Sequence, residues 1–173
     1  MSQLVINAVG PDRPGLVGEL TAHFHAAGAN ILDSRMVNLR GQFAVIVLIE
    51  ADDAALAKLR EGLSAAGKAM GLNISTTGAA AVPVAVAGVP YRIKTYSLDQ
   101  PGIVHCVSEV LRKHRVNIED LNARQESAPF AGTPLFILEM RVTVPAGVPV
   151  RALRGELEAA CAALNCDLDM VPA

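Results

Sequence analysis

The two halves of this chain of 173 residues repeat one another at a nearly constant spacing. Pro14-Gly15 recurs as Pro101-Gly102, and the same shift of 87 positions carries Asn30-Ile31 onto Asn117-Ile118. From Leu4 to Met36, eight of 33 positions are identical at this one shift, without a gap. A repeat that keeps prolines, glycines and asparagines in register is typical of a duplicated structural unit. The chain is therefore expected to fold as two similar domains.

The shift increases along the second half of each repeat. Residues 43–47 match residues 134–138 at a shift of 91, which gives the second copy four extra residues within 128–132. Leu59 and Leu63 then match Leu153 and Leu157 at a shift of 94. Residues 79–88 hold glycine and proline among small apolar residues, which suits an extended linker. We therefore predict a first domain over 1–78, a linker over 79–88 and a second domain over 89–173.

Each repeat has the element order βαββαβ. In the first copy we predict strands over Leu4–Val9, Ile31–Leu39, Phe43–Ala51 and Leu72–Thr77, with one helix after Pro14 and another after Asp52 or Asp53. This is the order of the ferredoxin-like α+β fold, in which two helices cover one face of an antiparallel sheet. The sequence therefore predicts two such modules.

The first helix has a recognisable beginning, face and end. Asp12 or Arg13 is expected to cap it, with Pro14 at its first helical position. A stripe at helical spacing is expected to face the core, and Gly28 is expected to end the helix. The predicted stripe consists of Leu16, Leu20 and Phe24, with Val17 and Ala27.

Composition excludes several classes of function. The chain has 15 basic and 17 acidic side chains, a net charge of −2, and only 3% aromatic residues. Direct DNA binding would favour a basic surface, and base stacking would need aromatic side chains. Cys106, Cys161 and Cys166 have no metal-binding spacing and are expected to be reduced thiols in a cytoplasmic protein. No signal peptide, membrane span or catalytic motif is recognisable, so we expect neither an enzyme nor a cofactor or metal.

The turn Gly10-Pro11-Asp12-Arg13-Pro14-Gly15 is the segment best suited to bind a ligand. It leaves a strand and opens a helix, whose free N–H groups and partial positive charge suit a carboxylate. Asp12 could take an ammonium group, and Asn30 at the start of the next strand offers a donor and an acceptor. The opposing interpretation is that Asp12 is only a helix cap and Pro-Gly only a turn.

The D-x-P-G turn, the helix and the following N-I-x-D resemble the ACT domain, a ligand-sensing module of amino-acid metabolism. The run from Gly10 to Met36 and the second S-L-D-Q-P-G-I-V resemble the glycine cleavage system transcriptional repressor family. The resemblance implies an amino-acid sensor with sites between adjacent ACT units. The implied ligand-binding residues are Gly10, Asp12, Gly15 and Asn30, with Ser97, Asp99, Gly102 and Asn117 in the second copy. The backbone N–H of Leu16 at the start of the helix is a further candidate.

The two copies differ at positions that bear on binding. Gly10 becomes Ser97 and Gly18 becomes His105, so we expect the first site to be the better one. Gly18 is expected to allow a close helix approach that His105 fills. Further expectations are a small amino acid such as glycine as ligand, a protein partner that acts on transcription, and a homo-oligomer. The alternatives are a structural interaction module without a ligand and a regulatory subunit of an amino-acid metabolic enzyme.

Overall fold

The computed structural model describes residues 1–79, 87–127 and 134–173. The chain divides into two compact units, Met1–Val82 and Pro83–Ala173. Most of the predicted linker lies outside the described residues, and Gly88, its last residue, begins a strand. The exact domain boundaries therefore remain a prediction.

The first unit has the predicted order βαββαβ. Its elements are β1 (Ser2–Pro11), α1 (Leu16–Ala26), β2 (Asn30–Leu39), β3 (Gln42–Ala51), α2 (Asp53–Met70) and β4 (Asn73–Gly78). The strands form one antiparallel sheet in the order β2-β3-β1-β4.

The second unit repeats this architecture. Its elements are β5 (Gly88–Leu98), α3 (Ile103–Lys113), β6 (Asn117–Ser127), β7 (Pro134–Pro145), α4 (Val150–Ala162) and β8 (Asp167–Pro172). The sheet order β6-β7-β5-β8 matches that of the first unit. The predicted fold class, two ferredoxin-like modules, is confirmed.

Each unit has its own hydrophobic core between one sheet face and two helices. In the first unit the core takes alternate residues of β1, such as Leu4 and Ile6, because successive strand residues point to opposite faces. Leu16, Leu20 and Phe24 of α1 meet them as predicted. Val17 does not, since 49% of its surface is exposed, and the prediction of an inward-facing Val17 is wrong.

The strand register corrects the predicted alignment of the repeats. Ala8 pairs with Val45 and its counterpart Thr95 pairs with Leu138, so β3 corresponds to β7 at a shift of 93, not 91. A slip of two residues leaves every side chain on the same sheet face, and an alternating pattern alone cannot detect it. The later shift of 94 is confirmed, because Ile6 pairs with Thr76 and Ile93 with Met170.

The start of α1 also differs from the prediction. The N-cap residue is Gly15, and neither Asp12 nor Arg13 caps the helix. Pro14 therefore precedes the helix instead of opening it. The prediction was correct for α2, where Asp52 is the N-cap and its Oδ1 accepts a hydrogen bond of 2.7 Å from the Ala55 N–H.

The sheet faces that point away from the helices differ between the units. We call them the first and second open faces. In the first, Val5 lies opposite Leu48 and Asn7 opposite Ile46. In the second, charged residues take the same places: Arg92 lies opposite Arg141 and Lys94 opposite Glu139. The duplicated backbone thus presents two chemically different surfaces.

The cysteines behave as small apolar side chains. Cys161 and Cys166 are buried free thiols, and Cys106 is half-buried. Burial, with the neighbouring Cys166 thiol, raises the pKa of Cys161 to about 12. Within the described ranges, no group of three or more His, Cys, Asp or Glu side chains is arranged to hold a metal ion. No helix in these ranges is long and apolar enough to cross a membrane.

Candidate functional site

The turn between β1 and α1 leaves the start of the helix without a side-chain cap. Gly15 has φ of 95°, a left-handed conformation that side-chain-bearing residues rarely adopt. Its carbonyl accepts the Glu19 N–H at 2.9 Å, so the N–H groups of the first three helical residues have no partner within the helix. Gly102, with φ of 103°, begins α3 in the same way. Among the described residues, both helix starts thus leave backbone N–H donors without a partner.

Asp12 is tied to the β2–β3 hairpin. Its backbone N–H donates to the Gly41 carbonyl at 2.8 Å, and its Oδ2 accepts a hydrogen bond from Asn38 Nδ2. Asn38 Oδ1 in turn accepts the Gly41 N–H at 3.1 Å. Asp12 is exposed and uses only one carboxylate oxygen in these contacts, so the other remains available to a ligand.

The second unit keeps this arrangement. The carboxylate of Asp99 accepts a hydrogen bond from Gln125 Nε2, and Gln125 is the counterpart of Asn38. Neither amide was predicted from the sequence. They could have been found, because an amide side chain recurs at the shift of 87 just before each β-hairpin turn. The recurrence identifies the aspartate–amide contact as part of the duplicated unit.

An ion pair lies over the start of α1. Arg13 Nη1 and Nη2 donate to Glu19 Oε1 and Oε2 at 2.5 and 2.7 Å, a bidentate contact. These hydrogen bonds lower the pKa of Glu19 and raise that of Arg13. The same Glu19 Oε1 lies 3.5 Å from the point where a Gly15 side chain would begin. A carboxylate therefore already rests near the free N–H groups.

No such pair exists at the start of α3. Gln100 replaces Arg13 and donates to the Leu164 carbonyl, while Cys106 replaces Glu19 and lies 3.5 Å from the Ala160 carbonyl. Both side chains are partly buried toward α4. The two turns share their backbone but not their charge, so they are not chemically equivalent.

Gly10 has a packing reason to be glycine. A Cβ at this position would lie 2.5 Å from the Gly71 carbonyl oxygen and 2.9 Å from Leu72 Cδ2. At the corresponding place Ser97 is buried, and its Oγ has no hydrogen-bond partner within the described part of the unit. The absence of a side chain at Gly10 thus lets the α2–β4 turn approach β1.

Gly18 does not serve the role that the sequence suggested. A Cβ there would meet no atom within 4 Å in the described structure, so the expected close helix approach is absent. Its counterpart His105 is exposed and fills no packing space. The expectation was wrong because glycine in a helix does not by itself indicate a neighbouring helix.

Asn30 lies at the far end of its own unit from Asp12. Asp12 contacts Asn38, which is eight positions from Asn30 along β2, or roughly 26 Å in an extended strand. The second unit places Asn117 equally far from Asp99 along β6. Within one unit the structure therefore does not bring Asp12 and Asn30 to one small molecule. Asn30 instead borders a separate shallow cavity of about 410 Å³ beside α1.

Comparison with known proteins identifies relatives for each part of the chain. The family model for the ACT domain matches residues 2–77. A UPF0237 protein of Methanopyrus kandleri is 34% identical over 76 residues, 43% of this chain and 84% of that protein. Both matches fall within the length of a single unit.

Two further matches span both units. The glycine cleavage system transcriptional repressor of Escherichia coli, strain K12, is 26% identical over 162 residues, 94% of this chain and 85% of the repressor. A crystal structure from Galdieria sulphuraria has a TM-score of 0.84 and 31% identity, and the match covers 99% of this chain and 98% of that one. Both of these matches thus extend across both units of the chain.

Proposed function

The chain belongs to the ACT domain family, and from that membership we propose that it is a regulatory protein that senses a small amino acid. Its output would be a change in the transcription of amino-acid metabolism genes, transmitted through a protein partner. The support is the match to a transcriptional repressor of the glycine cleavage system over 94% of this chain. Because that relative is matched across both units, the proposal concerns the whole chain.

The observation that carries the proposal is the uncapped start of α1 beside a free carboxylate oxygen. The N–H groups of Leu16 and its neighbours would bind the carboxylate of an amino acid, since a helix N-terminus favours negative charge. Asp12 would bind the ammonium group through its free oxygen. Gly15 makes the approach possible, because it has no side chain over the helix start.

The first unit is the stronger candidate site. Arg13 places a guanidinium at the same helix start, whereas Gln100 in the second unit is neutral and partly buried. A ligand carboxylate would compete with Glu19 for Arg13 and for the helix N–H groups. We therefore propose that ligand binding displaces Glu19, which couples the site to the first turn of α1.

We propose that a protein partner, and not this chain, binds the DNA. The net charge of −2 gives the chain no electrostatic excess for DNA phosphates. Specific DNA binding would then come from the partner, and the purified chain is expected to give no sequence-specific gel shift at physiological salt. The proposed role in regulating transcription also implies a cytoplasmic location.

The proposal is tested by calorimetry with glycine, followed by the other common amino acids, on the full chain. We expect saturable binding, and a rise in melting temperature as ligand concentration increases. Asp12→Ala should weaken binding roughly tenfold, because it removes a charge-assisted hydrogen bond. Asp99→Ala is the matched control and should leave the affinity of the first site nearly unchanged.

Two outcomes would change the interpretation. If no amino acid binds, the chain is a structural interaction module and the sensing proposal fails. If Asn30→Ala weakens binding as much as Asp12→Ala does, Asn30 must reach the ligand from another copy of the chain, since it lies too far away in its own unit.

A further inference from the structure

The second open face carries two arginines directly opposite each other. Arg92 of β5 pairs in register with Arg141 of β7, and both side chains are exposed. Like charges at directly opposed positions of neighbouring strands destabilise a sheet. This arrangement therefore costs stability unless negative charge lies between the two guanidinium groups.

Most other charges on this face are already paired. Lys94 contacts Glu139 at 2.8 Å, and Arg124 contacts Glu126 at 2.6 Å and Glu139 at 3.3 Å. These contacts lower the pKa of Glu139, Lys94 having the largest effect, so this carboxylate stays ionised and engaged.

The two opposed arginines make fewer contacts with carboxylates. Arg141 Nε lies 3.5 Å from Glu119 Oε2, and no hydrogen bond joins these two side chains in the described structure. Arg92 forms no ion pair at all with any described residue, although Lys94 and Arg124 on the same face do. Among the described residues, the guanidinium group of Arg92 is thus without an ion pair, and that of Arg141 opposite it has one weak carboxylate contact.

A cavity of about 510 Å³ lies over these residues. Its lining includes Arg92, Lys94, Asp120, Asn122, Glu139 and Arg141. The volume is within the range of small-molecule sites. Asp120 lies opposite Arg141 on the β6 side and makes no ion pair among the described residues, so the two arginines and this aspartate together carry one net positive charge.

We propose that this cavity is a second ligand site, in which Arg92 and Arg141 together bind one oxyanion, a phosphate or a carboxylate group of a small molecule. Guanidinium groups suit this role because their planar forks donate paired hydrogen bonds to oxyanions. The site is independent of the turn at Asp12, which lies in the other unit.

The first unit provides an internal comparison. Val5 and Leu48 stand at the places of Arg92 and Arg141, as the strand register shows, so its open face has no equivalent site. Both units keep the same backbone there. The arginine pair is therefore not required by the fold.

The test is a titration of the full chain with inorganic phosphate in one experiment and with acetate in another. Binding is monitored by the amide chemical shifts in NMR. Sodium chloride at matched ionic strength controls for screening. We expect saturable shifts in β5 and β7 with at least one of the two anions, and the stronger binder identifies the source of the oxyanion. Arg92→Gln and Arg141→Gln should each weaken binding about fivefold or more.

Arg151→Gln is the matched control, because it removes an equal charge from an exposed position on α4. It should leave the titration unchanged. Absence of saturable shifts with both anions would overturn the proposal, as would binding that Arg92→Gln does not alter. Equal weakening by Arg151→Gln would also overturn it, since the effect would then be one of overall charge.

Discussion

Glycines that look alike in the sequence have different roles at the residue scale. Gly10 is required by its contact with the Gly71 carbonyl, Gly15 by its backbone conformation, and Gly18 by neither. The sequence marks all three as departures from an ordinary strand or helix but does not show which neighbour approaches. Only the packed structure separates a steric requirement from a tolerated residue.

A pair of alanine substitutions would measure this difference. Gly10→Ala is expected to lower the free energy of unfolding of the first unit by about 1–3 kcal/mol, because the added methyl group would overlap backbone atoms. Gly18→Ala is expected to raise it by about 0.5–1 kcal/mol, since alanine favours the helix and meets no neighbour. Hydrogen exchange of β1 amides in urea reports on both. Equal effects of the two substitutions would refute the packing role of Gly10.

The contact made by Asp12 is the part of the candidate site that could not be predicted from the sequence. Asp12 before a helix predicts a cap, yet its carboxylate turns to Asn38, which lies 26 positions later in the chain. A contact of that range depends on how the β2–β3 hairpin folds back on the turn. Asp52 has a cap partner only three positions away, and the sequence identified it correctly because the interaction is local.

At the scale of elements, α3 and α4 are joined by a charge contact. Glu156 of α4 accepts a hydrogen bond of 2.7 Å from Lys113 and lies 3.2 Å from His114, both near the end of α3. Lys113 foremost, and then His114, lower the pKa of Glu156. At the corresponding place α2 has Gly62, whose missing side chain would meet no atom within 4 Å.

This contact predicts a pH dependence of stability. A carboxyl group whose pKa is lower in the folded state stabilises the fold above its unfolded pKa, and that contribution is lost as pH falls through the folded value. Wild type should therefore be more stable than Glu156→Gln at pH 7, and the difference should begin to shrink as pH falls below the unfolded glutamate pKa of about 4.3 and vanish only below the lower, folded pKa. Urea unfolding across this range is the measurement. Glu158→Gln, at an exposed position of the same helix, should show no such difference.

Periodicity was sufficient to predict the elements but not their alignment. The apolar run of β3 and its match in β7 identified two strands, and the helical spacing of Leu56, Leu59 and Leu63 identified α2. The shift between β3 and β7 was misplaced by two residues. Side chains along a strand alternate between the two sheet faces, so a slip of two residues leaves each of them on the same face. Side-chain patterns fix which face is buried, whereas hydrogen-bond pairing fixes the register.

At the scale of the whole molecule, the two units have separate cores. The buried side chains of the first cluster all lie between Leu4 and Leu72, and those of the second all lie between Ile93 and Met170. Each sheet is complete, with four strands that pair within the unit. The duplication inferred from the sequence therefore corresponds to two complete domains rather than to two halves of one.

Fragments 1–79 and 87–173 are accordingly expected to fold on their own. Each should give a dispersed amide spectrum and a cooperative urea transition, although domains of this size are only marginally stable. The measurement is NMR and circular dichroism of each purified fragment beside the full chain. A fragment that remains unfolded by itself would show that its core depends on the rest of the chain.

The exposed edge of the first sheet has a consequence for handling the protein. β2 is an edge strand with exposed apolar side chains at Met36, Val37 and Leu39, and only Asp33 and Arg35 add charge in its middle. Edges of this kind are templates for self-association, which interspersed charges restrain. Sulfate strengthens apolar association and screens those charges. Ammonium sulfate should therefore precipitate this chain at concentrations at which a protein with a well-covered edge stays in solution, and low-salt buffers suit its storage.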